Sequence, residues 1–212
     1  MRKLVSVAVV LVGLVLIYLV VDVLTKSYVE GRVEDEFRDQ SQLQVQDVSF
    51  GIDSFPFLAE LAASSTVSAT LELEGIEDHE LTIDRFTLEV DGLEFDRMSA
   101  FNGEVKATGL DRATASMDLG PSAISDVVGV PVEIGDDGQV SANGVPIQAT
   151  MEGEDLVLQG AGMTVTVPVN VQRYLPCTPG IEVRDDLVHL SCTTDQLPRI
   201  VNRVLGEVAN QG

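Results

Sequence analysis

The chain has 212 residues, of which 13 are basic and 34 acidic, for a formal charge of −21; 45% of its residues are apolar. That balance excludes nucleic acid as a partner, since binding it requires a basic surface that releases counterions, and the apolar content excludes a disordered stalk. Two histidines, two cysteines and no tryptophan leave little material for metal or redox chemistry, and no metal and no cofactor is expected.

Residues 4 to 21, LVSVAVVLVGLVLIYLVV, form an uncharged run of eighteen. As a helix it would reach about 27 Å, the thickness of a bilayer core. Arg2 and Lys3 precede the run and every acidic residue follows it, beginning with Asp22. Positive charge is retained on the cytoplasmic side, so the expectation is a single-pass anchor over residues 1–24, with the N-terminus cytoplasmic and a domain of residues 25–212 outside the cytoplasm at the cell membrane. A cleaved signal peptide is the competing reading, but the run is longer than the usual apolar region and Leu19 to Leu24 offers no small-x-small cleavage site. Without Arg2 and Lys3 the exported part holds eleven basic against 34 acidic residues, a formal charge of −23. An anionic lipid would then have to be met at a local basic spot or through its tails.

Between Asp22 and Gln40, Val29, Val33 and Phe37 recur at helical spacing with acidic residues around them, which predicts a helix. From Val45 the period becomes two. Val67, Ala69, Leu71 and Leu73 alternate with polar residues, as do Phe86, Leu88 and Val90, then Ala113, Ala115, Met117 and Leu119. The same alternation continues in Val130, Val132 and Ile134, in Val145, Ile147, Ala149 and Met151, and in Met163, Val165, Val167 and Val169. Gly135 to Gly138 and Asn143-Gly144 have the composition of hairpin turns. No element is read over residues 121–128. The body is therefore antiparallel β, and a sheet with one apolar face must pack on something or curl around itself.

Cys177 and Cys192 flank a hairpin in which Ile181 and Val183 face Val188 and Leu190 around Asp185-Asp186, so a structural disulfide is expected; the spacing does not suit a redox motif. His189 in Val188-His189-Leu190 is expected to face solvent, opposite its apolar neighbours. From about Asp195 to Ala209, Leu197, Ile200, Val201, Val204, Leu205 and Val208 make the most regular amphipathic stripe in the chain. Such a helix either packs on the sheet as core or lines an apolar cavity with it.

Motifs for catalysis are missing. Neither His79 nor His189 belongs to a metal-binding HExxH pattern, there is no GxSxG elbow and no phosphate-binding GxxxxGK[ST] loop, and the acidic residues do not follow a calcium-loop spacing. The protein is read as non-enzymatic.

Asp53-Ser54-Phe55-Pro56-Phe57-Leu58-Ala59-Glu60 puts two of the seven phenylalanines at the end of a strand, with Phe57, Leu58 and Leu61 on one side of a helical turn. These side chains are either a core plug or the lip of an apolar cavity. Together with the strand Thr66 to Ile76, the acidic helix before it and the N-terminal apolar segment, the Phe-Pro-Phe-Leu block resembles the LmeA-like family of envelope phospholipid-binding proteins of actinobacteria. Ser54 stands where a glycine commonly precedes that block. The resemblance covers residues 25 to 210 in layout and implies an α+β fold of the tubular lipid-binding type: a highly curved antiparallel β-sheet wrapped around a long amphipathic helix, here preceded by one N-terminal transmembrane helix. It further implies non-enzymatic binding or transfer of phospholipid or another acyl-chain lipid, in support of envelope lipid or lipoglycan maintenance. The expected lining is Phe55, Phe57, Leu58, Leu61, Leu197, Ile200, Val201, Val204, Leu205 and Val208. The alternative is a membrane-anchored scaffold whose acidic surface meets an unidentified protein partner.

Overall fold

A computed structural model describes residues 15–28, 30–31, 34–35, 38, 44–53, 56, 59, 66–78, 81–95, 107–135, 139–153, 155–160, 162–168, 174–196 and 198. The described residues form two antiparallel sheets and two helices. Helix α1 covers residues 15–28, with helical backbone again at 30, 31, 34, 35 and 38. The first sheet comprises β1 (Gln44–Ile52), β2 (Thr66–Asp78), β3 (Leu81–Phe95), β4 (Ala107–Gly109) and β5 (Arg112–Leu119). Helix α2 (Pro121–Val128) leads into the second sheet, made of β6 (Val132–Ile134), β7 (Val140–Ala142), β8 (Val145–Glu152), β9 (Asp155–Gly160) and β10 (Met163–Pro168). The chain then returns to the first sheet through β11 (Gly180–Arg184) and β12 (Leu187–Thr194). The first sheet runs β1-β2-β3-β5-β12-β11 with β4 beside β3, the second β10-β9-β8-β7-β6, and neither is a closed barrel.

Period-two patterning accounts for the strands. On β5 Ala113, Ala115, Met117 and Leu119 are all fully buried, and the polar residues between them are not. The turn at Asn143-Gly144 joins β7 to β8, and Asp185-Asp186 joins β11 to β12; all four residues have positive φ, as a two-residue hairpin turn of the primed type demands. Residues 136–138 of the third expected turn lie outside the described residues. Val130 precedes β6 and is not part of it.

Two features interrupt the regular pleat of the first sheet. Opposite Ser68 the register slips, with Val67 paired to Leu93 and Ala69 to Val90, so Asp91 and Gly92 form a bulge with Gly92 at φ +66°. Nearer the other end, burial changes phase in three strands at once. It passes from Val48 to Val45 on β1, from Leu73 to Ile76 on β2 and from Phe86 to Ile83 on β3, and these residues are cross-strand partners. Gly75, at φ +60°, lies on this crease. A Cβ there would sit 2.5 Å from the Gln46 side chain.

Helix α2 was not read from the sequence, yet its signals are local: Pro121 in the first turn, and Gly129 at φ 74° closing the helix with its N–H bonded to Ser125 O at 2.8 Å. Its N-cap Gly120 has no side chain to accept a hydrogen bond. Asp84, from the crease of β3, accepts from Gly120 N at 2.6 Å instead, and a Cβ on Gly120 would come within 2.8 Å of that carboxylate. Ala123 and Ile124 face the interior, and the helix packs against β3, β6 and β10. One apolar cluster joins both sheets and α2.

Two expectations change, and others fall outside the described residues. The single-pass localisation, with a cytoplasmic N-terminus and an extracytoplasmic domain, is corrected: among the described residues no helix is long and apolar enough to cross a membrane. Of that segment the structure describes residues 15–28, in which Asp22, which is buried, and Lys26 follow the end of the apolar run. His189 does not face solvent; it is 8% exposed. The long C-terminal helix, and Val29, Val33 and Phe37 of the first helical stripe, lie outside the described residues.

Candidate functional site

The inward face of the first sheet is assembled from cross-strand rows. One row is Ile52, Ala69, Val90 and Ala113; the next is Phe50, Leu71, Leu88, Ala115 and Cys192; the third is Val48, Leu73, Phe86, Met117 and Leu190. Apart from Phe50, which is half-buried, every one of these side chains is buried. Side-chain volume grows from the first row to the third, so the wall of the interior is thin at one end and thick at the other. At the thick end the Phe86 and Tyr174 rings meet at 5.9 Å with a 57° tilt, and Leu119, Ile124 and Leu175 are fully buried in the same apolar cluster. Tilted ring pairs of this kind fill space with specific geometry.

The thin end is where the chain leaves and re-enters the sheet. β1 finishes at Ile52 and β2 begins at Thr66, paired beside β3; β12 finishes at Thr194, opposite Ala113. The segments carrying the expected lining residues are therefore both attached at this end, one after β1 and one after β12. Phe55, Phe57, Leu58, Leu61, Leu197, Ile200, Val201, Val204, Leu205 and Val208 themselves lie outside the described residues. Just before the second segment, Gln196 N donates to Thr194 Oγ1 at 3.3 Å.

Cys177 and Cys192 are joined, with Cα atoms 6.0 Å apart. The bond ties the segment leading into β11 to the second row of the inward face, beside Ala115.

The opposite face is polar. Arg85 bonds Glu72 at 2.9 Å and Glu74 at 3.2 Å. His189 lies between Glu182 on β11 and Asp118 on β5. The Asp118 carboxylate accepts from His189 Nδ1 at 2.6 Å, and Arg184 Nη2 stands 3.1 Å from both ring nitrogens. A nitrogen equidistant from both lies over the ring face, where a guanidinium is attracted by the π system. That contact buries the histidine, and alternation alone gives no sign of it because Arg184 arrives from across a hairpin. Among the described residues no group of three or more His, Cys, Asp or Glu is placed to hold a metal. A shallow, open depression beside α2, lined by Ser125, Asp126, Gly129, Val130 and Pro131, has its hydroxyl engaged: Ser125 Oγ donates to Pro121 O and accepts from Val132 N.

Fold and face together define an antiparallel β protein built around one continuous apolar interior, with its charges gathered on the outer surface. The chain belongs to the LmeA-like phospholipid-binding family, whose model matches residues 20–211. No curated protein and no solved structure matches it.

Proposed function

We propose that the protein binds a phospholipid non-covalently, as a unit spanning residues 25–212, and that this supports envelope lipid or lipoglycan maintenance. The observation that carries the reading is the tapered, wholly apolar inward face of the first sheet in a chain of a phospholipid-binding family. Acyl chains lie against the thin end, by Ala69, Val90 and Ala113, and Phe55, Phe57, Leu58 and Leu61 line the opening from one side. Leu197, Ile200, Val201, Val204, Leu205 and Val208 line it from the other. Each buried methylene contributes about 0.8 kcal/mol, so two acyl chains supply ample driving force without a covalent step. Native mass spectrometry of the full chain tests the reading. Bound mass that extracts as phospholipid is the expected result; a chain that carries no lipid and takes none from phosphatidylcholine vesicles overturns it.

A second reading is favoured by the formal charge of −21 and by the burial of the second and third rows apart from Phe50: an interaction domain whose interior is filled by its own side chains and whose acidic surface meets a basic protein. The same experiment separates them, because that reading expects a lipid-free chain.

A further inference from the structure

Among the described residues strand β11 is an edge of the first sheet, paired only with β12, whereas β8 is paired on both sides within the second sheet. The two strands lie against each other with no backbone ladder between them. Ile181 and Val183 point inward from β11, opposite Leu190 and Val188, which are fully buried; yet both are only half-buried themselves. On β8, Ala149 and Met151 are half-buried too, although their partners Leu158 and Leu156 on β9 are buried, and Ile147 continues the strip. All five side chains pack against the apolar cluster shared by the two sheets. Apolar side chains that are only half-buried thus approach the junction from both strands, which is what an incompletely closed cleft continuous with that cluster would present.

We propose that this cleft between β8 and β11 is a lateral binding site for an acyl chain of a phospholipid, opening into the same interior as the thin end of the first sheet. The inference rests on the phospholipid-binding reading and adds a second place of access to it. Three features point to an acyl chain. The five side chains present neither charge nor hydrogen-bonding groups, and the charged neighbours Glu152, Glu182 and Arg184 are on the alternate, outward positions. Ala149, between Ile147 and Met151, leaves a notch in the strip, and methionine adapts to a flexible ligand. A peptide strand laid here would instead bring amide groups against apolar side chains, with ladder partners on β11 alone, a strand of five residues. No sheet pairing joins β8 to β11 among the described residues, and the Cys177–Cys192 bond holds the segment before β11 to β12.

The chain contains no tryptophan, so one introduced residue is a site-specific fluorescent reporter. Full-length Val183→Trp, and Thr193→Trp on the exposed face of β12 as a control, are loaded with phosphatidylcholine brominated on its acyl chains and compared with the unbrominated lipid. Lipid load is measured in parallel by native mass spectrometry. The expected result is loss of most of the emission at position 183 with brominated lipid and little change at 193. Unquenched emission at 183 in protein that carries lipid by mass overturns the cleft and leaves lipid binding standing. A wild-type chain that takes up no lipid overturns both. Met151→Trp reports from the facing strand in case Val183→Trp does not fold.

Discussion

At one margin of the first sheet β1 is covered by carboxylates from the helical segment before it: Ile52 N donates to Glu30 Oε1 at 2.8 Å and Phe50 N to Glu34 Oε1 at 3.1 Å, while Arg38 pairs with Asp47 at 3.5 Å. At the other margin the segment before β11 has a covalent tie to β12, and β11 runs close to β8. The halves differ in shape as well. β1, β2 and β3 change burial phase together at the crease, whereas β5 alternates without interruption. An unpaired strand edge is a template for unwanted pairing. The β1 side meets that hazard with removable polar contacts and the β11 side with a short strand and a disulfide, so each edge has its own mode of failure.

The largest effect is expected at the β11 margin. Cys177→Ser with Cys192→Ser frees a loop of sequence separation 15, a loss of about 3 kcal/mol in the chain-entropy model. Thermal unfolding should then show a midpoint lower by roughly 10 °C, and an unchanged midpoint would mean that β11 is held by its packing alone. At the β1 margin, Glu30→Ala with Glu34→Ala removes two charge-assisted hydrogen bonds, each about 1 kcal/mol in this half-buried setting. That variant should also self-associate with rising concentration in sedimentation velocity, since it exposes the β1 donors; the cysteine variant should lose stability with less association.

Gly75→Ala tests the crease. A residue with a Cβ held at φ +60° costs roughly 1–2 kcal/mol, and Gln46 must also swing away. Chemical denaturation should register that loss with an unaltered slope; a larger loss would mean that the bend itself is needed to seat α2 through Asp84. Arg38→Ala should cost only a few tenths of a kcal/mol, because the Arg38 and Asp47 side chains are 54% and 66% exposed and water screens the pair. A loss comparable with that of the glutamate pair would show that Arg38 orients the helical segment along β1.

Local pattern determined a good deal by itself. Alternation in Ala113, Ala115, Met117 and Leu119 requires a strand with one buried face, because side chains on a strand have a period of two; Asn143-Gly144 and Asp185-Asp186 require tight turns, because those residue types tolerate positive φ. The Phe-Pro-Phe-Leu block, in its place in the layout, was enough to indicate the phospholipid-binding family that the chain belongs to. Other features were decided only in three dimensions. The burial of His189 depends on Asp118, 71 residues away, and on Arg184 laid over its ring. The cap of α2 comes from Asp84 rather than from the helix's own N-cap residue, and the β1 edge is covered by glutamates that in sequence look like a solvated helix face. The apolar run at the N-terminus gave the expectation of a membrane span, whereas among the described residues no helix is long and apolar enough to cross. The division into two sheets and the cleft between β8 and β11 are likewise tertiary: alternation says that a strand has an apolar face, whereas which strand that face meets, and how completely, depends on the path of the chain between them.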